Sequence, residues 1–214
     1  QSMDEIRLHG AETAPGDPAS RAPLQQIEID MERGSVRLPR GTAIDLGGIA
    51  KGWIVEKAAD LLSRSASACA VNAGGDILFR GYPSRGVLWQ VRIEDPWDSS
   101  REVARLEVGP GAIATSSVIK RSWMQAGVPR HHLIDPRTGE PAAGDWASVS
   151  VLAPQITTAE VYAKALLIGG ETEFHSLLAR RPEISYLIVR SDGTLLSSFD
   201  QAEYLHERES YTCQ

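Results

Sequence analysis

Apolar residues change their spacing along the chain, and the changes mark out its elements. Between Gln26 and Pro39, Ile27, Ile29 and Met31, then Val36 and Leu38, alternate with polar residues around Arg33-Gly34, which predicts a β-hairpin. At Ile49–Arg64 the spacing becomes helical, through Ile49, Trp53, Ile54, Ala58, Leu61 and Leu62, with Gly47-Gly48 just ahead. Two strand-like runs, Ala68–Asn72 and Asp76–Phe79, flank Ala73-Gly74-Gly75, and Leu88–Ile93 and Val103–Val108 alternate again. Ala112–Ser117 and His131–Ile134 are short and mixed, whereas Ala147–Leu152 reads as a buried strand stopped by Pro154. Thr157–Ile168 and Thr172–Ala179 predict helices broken at Gly169-Gly170, and Tyr186–Arg190 and Thr194–Phe199 a final hairpin around Ser191-Asp192-Gly193. Strands outnumber helices and many are sequence neighbours. The expected fold is therefore α+β, with mainly antiparallel sheets and packed helices rather than a doubly wound sheet. Residues 1–25, polar and carrying Gly10, Pro15, Gly16, Pro18 and Pro23, read as a partly disordered lead-in to one domain over 26–214.

Composition agrees with a packed domain: 214 residues, 42% hydrophobic and 23% charged. Against 22 Lys+Arg stand 28 Asp+Glu, a net charge of −6 with no basic run, which argues against nucleic acid as a partner. The longest apolar stretch, near Ala165–Ile168, is far too short to span a bilayer. Cys69, in an apolar run, reads as a small buried hydrophobe and Cys213 as part of a polar tail, so no disulfide framework or Cys/His zinc cluster is expected. The chain opens on Gln1 and shows no signal or lipid-anchor motif, which leaves the compartment open.

Three polar, glycine-bearing turns punctuate the apolar segments: Asp45–Gly52, Val71–Ile77 and His131–Gly139. Glycine lets a backbone approach a ligand closely, and a helix N-terminus offers N–H groups to an anion. The first turn, with Lys51, thus has the composition of a phosphate or pyrophosphate grip. Each turn is equally readable as an ordinary connection, and none carries a Walker or Rossmann spacing. In His131-His132 only one imidazole of a strand faces a given site, and a neutral one beside Asp135 has the chemistry of a general base; a hydrogen-bonded histidine pair ahead of a turn is the other reading. Thr115-Ser116-Ser117 offers hydroxyls either to a ligand or to a turn.

Taken in order, DLGGIAKG (45–52), NAGGDI (72–77), IATSS (113–117), HHLIDPRTGEP (131–141), ASVSVLAP (147–154) and TTAEVYAKALLIGG (157–170) resemble the ApbE family, flavin transferases that act with FAD. The resemblance covers roughly residues 26–200. It implies an ApbE-like fold that binds FAD, cleaves its pyrophosphate with Mg²⁺ and attaches FMN through a phosphoester to a Thr or Ser of an acceptor protein. By position in these motifs it implies that Gly47, Gly48 and Lys51 hold the pyrophosphate. Asp45, Ile49, Trp53, Asn72, Gly74, Gly75, Asp76, Thr115, Ser116, His131, Leu133 and Ile134 would bind the rest of the dinucleotide. His132, with Asp135, would take the acceptor proton.

The chain departs from the family pattern in three places. The resemblance puts the metal between the Ala50 carbonyl and the positions of Glu160 and Lys164, where the family carries Asp and usually Thr. A protonated lysine has no lone pair to give a metal. Four apart on a helix, Glu160 and Lys164 share a face and can pair, so either the Lys164 ammonium replaces the cation or the two form a solvent-facing pair. A non-catalytic FAD-binding protein with its metal site altered by Lys164 is the alternative to a transferase. Ser117 stands where the family commonly has Gly. The N-terminal Met-Gly-Thr and FD-x-T segments of the family pattern do not appear before Gln26; a fragment, a partner or a homodimer mate each accounts for that. Family precedent suggests a periplasmic or membrane-anchored protein.

Overall fold

Every strand pairing of the central sheet is antiparallel, in keeping with the α+β fold expected from the sequence. A computed structural model describes residues 24–199. The expected lead-in lies almost wholly outside these residues, as do Cys213 and the end of the 26–214 unit. Strands β3 (Cys69–Ala73), β4 (Asp76–Arg80), β7 (Gly111–Ser117), β10 (Trp146–Ala153), β11 (Ser185–Arg190) and β12 (Leu195–Ser197) form one sheet in the order β12-β11-β10-β7-β4-β3. Three two-stranded ribbons stand beside it: β1 (Glu28–Asp30) with β2 (Ser35–Arg37), β5 (Trp89–Glu94) with β6 (Glu102–Val108), and β8 (Ser122–Gln125) with β9 (Val128–His131). Among the described residues the α-helices are α1 (Ala50–Leu62) and α2 (Ile156–Ala179).

The sheet is covered on both faces, and the period-2 alternation of its strands decides which residue goes where. On one face Leu78, Ala112, Ala114, Val149, Val151 and Ile188 pack with Val55 and Ala59 of α1 and Ile156, Ala159, Ala163, Leu166 and Leu167 of α2. On the other, Phe79, Ile113, Leu187 and Val189 pack with Val91, Ile93, Val103, Ala104, Leu106 and Val108 of the β5–β6 ribbon. Strand β10, central and sandwiched, is buried at seven of its eight positions.

The break expected at Gly169-Gly170 falls at Gly170, whose φ of 56° and ψ of −154° are non-helical inside α2. No described helix is long and apolar enough to cross a membrane. Cys69 is half-buried rather than buried, because β3 lies at the sheet edge. The β1–β2 hairpin forms as its alternation predicts, yet its apolar side chains are not in the core: Ile29 is 65% and Val36 57% exposed.

Candidate functional site

The Asp45–Lys51 turn is built by its own hydrogen bonds. Asp45 Oδ1 accepts the Gly47 N–H at 2.7 Å, and the Leu46 carbonyl accepts from Ile49 and Ala50 at 3.0 and 2.9 Å, which starts α1. The Gly47 amide expected to face an anion is thus committed to Asp45. What the turn presents instead is the Lys51 side chain, ion-paired with Asp76 at the start of β4. Asp76 is 1% exposed, and its Oδ2 has no aligned hydrogen-bond partner, so the ammonium charge alone compensates it. The β3–β4 turn needs glycine for conformation rather than space: Gly74 and Gly75 have φ of 66° and 98°, with no atom within 4 Å of a Cβ added to either. Asn72 Oδ1 accepts the Gly75 N–H at 3.0 Å and closes the turn.

Glu160 joins the two helices. Its side chain projects from α2 toward the N-terminus of α1, where Oε2 accepts the Gly52 N–H at 2.7 Å, one of the amides a helix start leaves without an intrahelical partner. Its Oε1 accepts from Lys164 Nζ at 2.8 Å, one helical turn on. Glu160 is 1% exposed, so this is a buried carboxylate with both oxygens satisfied and not a solvent-facing pair.

The two histidines divide their roles. His131 Nδ1 accepts the Leu133 N–H at 3.3 Å while Nε2 lies 3.0 Å from the Ala142 carbonyl; these partners assign the neutral tautomer with the proton on Nε2 and make His131 structural. His132 faces the cavity described below. Burial of its ring lowers its pKa below the ordinary histidine value; a hydrogen bond to the Arg121 backbone opposes this, and the charges of Arg121, His131 and Lys164 add to it. Asp135 is held elsewhere. Arg137 donates to it through Nε at 3.0 Å, Nη2 at 2.9 Å and its backbone N–H at 2.8 Å. The carboxylate is therefore placed to fix the Asp135–Gly139 turn rather than to orient His132. Leu133 is 5% exposed in the core, and Ile134 is exposed beside its bridge to Pro141.

One cavity of about 640 Å³ gathers nine of the twenty expected site residues, together with Ser117. Gly47 and Lys51, Asn72, Gly74 and Gly75, Thr115, Ser116 and Ser117, His132, and Lys164 all line it. Asp45, Gly48, Ile49, Ala50, Trp53, Asp76, His131, Leu133, Ile134, Asp135 and Glu160 do not, although Asp76 and Glu160 stand directly behind Lys51 and Lys164. Trp53 is 56% exposed on α1, under the Lys57 ammonium. Cross-strand Thr115 and Ser150 hydroxyls share a hydrogen bond of 2.8 Å. Ser117 donates to the Ala147 carbonyl at 3.0 Å and accepts from the Ile119 N–H at 3.1 Å, so a hydroxyl fixes this end of β7.

Sequence reasoning did not find Arg92, Lys120, Arg121 or Ser148, which also line the cavity. The adjacent cations Lys120-Arg121, separated from the Thr115–Ser117 motif only by Val118 and Ile119, were the available signal. The lining holds five Lys or Arg residues against the single acid Glu94, within a chain whose net charge is −6. Four of the five are ion-paired, Lys51 with Asp76, Arg92 with Glu102, Lys120 with Glu94 and Lys164 with Glu160. What the lining offers an anionic ligand is therefore oriented cationic donors rather than bare charge, and the volume lies in the range of small-molecule sites.

The residues as placed do not fit a divalent cation. Both Glu160 oxygens are hydrogen-bonded, Lys164 offers donors only, Ala50 does not line the cavity, and no group of three His, Cys, Asp or Glu among the described residues could hold a metal.

Comparison with known proteins places these features in a family. The model of the ApbE family matches residues 7–188, so the chain belongs to the ApbE family. It is 36% identical over 151 residues to an FAD:protein FMN transferase of Vibrio cholerae, covering 70% of this chain and 45% of that protein. A second FAD:protein FMN transferase, of Treponema pallidum, is 33% identical over 168 residues, covering 74% of this chain and 46% of that one. Among solved structures, the ApbE protein of Thermotoga maritima superposes with a TM-score of 0.77 at 26% identity, over 92% of this chain and 67% of that chain. The flavin transferase ApbE of Vibrio cholerae gives 0.69 at 30% identity, over 88% and 62%. The chain spans about half the length of these curated relatives.

Proposed function

We propose that this chain binds FAD in the cationic cavity and transfers its FMN half to a hydroxyl of an acceptor protein, as an FAD:protein FMN transferase. The observation that carries the reading is the convergence of Lys51, the Asn72–Gly75 turn, Thr115–Ser117 and His132 on one cavity whose ionisable lining is almost wholly cationic. A Thr or Ser hydroxyl of the acceptor attacks the phosphorus on the FMN side of the diphosphate. A new phosphoester bond forms, the bond to the bridging oxygen breaks, and AMP leaves with that oxygen. The hydroxyl proton passes to His132, which its surroundings keep neutral. Lys51 and Arg121 neutralise charge on the departing phosphate, the main contribution a protein makes to phosphoryl transfer.

A homodimer belongs to the same proposal. The exposed apolar side chains of Ile29, Val36 and Trp53 offer it contact surface, and sedimentation of the full chain reads it directly. A periplasmic or membrane-anchored location is likewise proposed, and cell fractionation tests it.

The test of the transfer reading is incubation of the chain with FAD and threonine- or serine-bearing peptides, followed by mass spectrometry. Release of AMP with a peptide gain equal to one FMN supports transfer. FAD that binds but returns intact identifies a flavin binder without transferase activity.

A further inference from the structure

We propose that Lys51 and Lys164 form a two-ammonium clamp for the diphosphate of the ligand, so that this chain binds it without a divalent metal ion. The proposal rests on the reading above only for the identity of the dinucleotide; the clamp itself recognises a diphosphate.

The two lysines are built alike. Behind each stands a carboxylate that is 1% exposed, Asp76 behind Lys51 and Glu160 behind Lys164. In front, both side chains reach the same cavity, 39% exposed for Lys51 and 18% for Lys164. A buried carboxylate fixes the long, flexible lysine side chain and aims the positive end of the pair outward, so less rotamer entropy remains to be lost when an anion binds. An ammonium has three donors. Lys164 gives one to Glu160 Oε1, which leaves two for phosphate oxygens.

Glu160 already carries a cation, the Lys164 ammonium on Oε1, while Oε2 holds the Gly52 N–H, so a divalent ion here would sit against that ammonium's charge. The site also leaves no room to rearrange: a Cβ on Gly52 would lie 2.8 Å from Glu160 Oε2. A carboxylate locked against a backbone amide and an ammonium is a seat for a fixed cation. The structure thus supplies as side-chain charge what a metal ion would otherwise bring to the diphosphate.

The experiment titrates the full chain with FAD and, separately, with inorganic pyrophosphate, each in EDTA and in excess MgCl₂. Removing Lys164 alone strands a buried carboxylate and risks unfolding. The variant is therefore the double substitution Glu160→Gln/Lys164→Met, whose melting temperature is measured alongside. The wild-type chain should bind in EDTA with an affinity that Mg²⁺ changes by less than about twofold. The folded double variant should bind about 10- to 100-fold more weakly in EDTA, the loss of a charge-assisted contact. Binding by the wild type that appears only with Mg²⁺, or undiminished binding by the folded double variant, overturns the clamp. Pyrophosphate bound in EDTA through Lys164 while FAD is not bound upholds the clamp and overturns the flavin reading. Failure to bind either ligand under both conditions overturns both.

Discussion

Glu160 Oε2 accepts the backbone N–H of Gly52 at 2.7 Å, linking helices whose contact residues lie 108 positions apart. The bond sets the start of α1, which carries Lys51, against the face of α2 that carries Lys164. One buried carboxylate therefore positions both ammonium groups: one directly, the other through the backbone next to it.

Gly52→Ala tests this junction. The added Cβ would lie 2.8 Å from Glu160 Oε2 and 3.2 Å from the Thr157 Cα. Alanine is the better helix former, but overpacking against a helix backbone outweighs that gain. Thermal unfolding should show a loss of about 1–3 kcal/mol. Gly48→Ala, with no atom within 4 Å, should stay within about 0.5 kcal/mol of the wild type.

His132 makes a prediction about pH. Its folded-state pKa lies below the ordinary value of 6.5, chiefly through burial. The acid limb of transferase kcat/KM should therefore have its midpoint below 6.5. Stability follows the same sign. Between the folded pKa and 6.5 the unfolded chain binds more protons, so stability rises with pH through that window and is lost as pH falls. His132→Asn should lower kcat by about 10²–10⁴-fold while FAD affinity changes little.

Asp135 should behave differently from His132. Its carboxylate is bound by Arg137 and serves the turn, so Asp135→Ala should lower stability by about 1–2 kcal/mol, reduced from the buried value because Arg137 is half exposed. FAD affinity, measured by titration, should remain near that of the wild type. A large loss of turnover with stability unchanged would return Asp135 to the reaction.

The cationic lining makes binding depend on salt. Raising ionic strength from about 0.01 M to about 1 M shortens the Debye length from about 30 Å to about 3 Å. FAD affinity should weaken across that range, and affinity for riboflavin, which carries no phosphate, should not.

Much of the frame was legible because alternation and helical spacing report directly which residues share a face. Leu78 and Phe79 go to opposite cores as the strand period demands, and Gly170 breaks α2 where the glycine pair lies. The β8–β9 hairpin was not legible. Its turn puts Ala126 at φ 49° ahead of Gly127 at φ 77°, and alanine there gives none of the Asn-Gly or Asp-Gly signal, while Pro129 argues against a strand. That hairpin delivers Arg121 and His132 to the cavity; the motif had already pointed to His132, but Arg121 was hidden with the hairpin. Arg92 shows a related limit. Alternation places it on the polar face of β5 but does not say whether that face meets solvent or a site. For Asp135 the motif order suggested a partner for His132, and only the fold shows that Arg137, two residues on, takes the carboxylate.

Thermal unfolding of the full chain with and without FAD tests the central claim most directly, since a ligand held only by the folded state must stabilise it. At a free concentration about 100 times Kd the account predicts about 2.7 kcal/mol of added stability. An unfolding temperature that saturating FAD leaves where it was would contradict it.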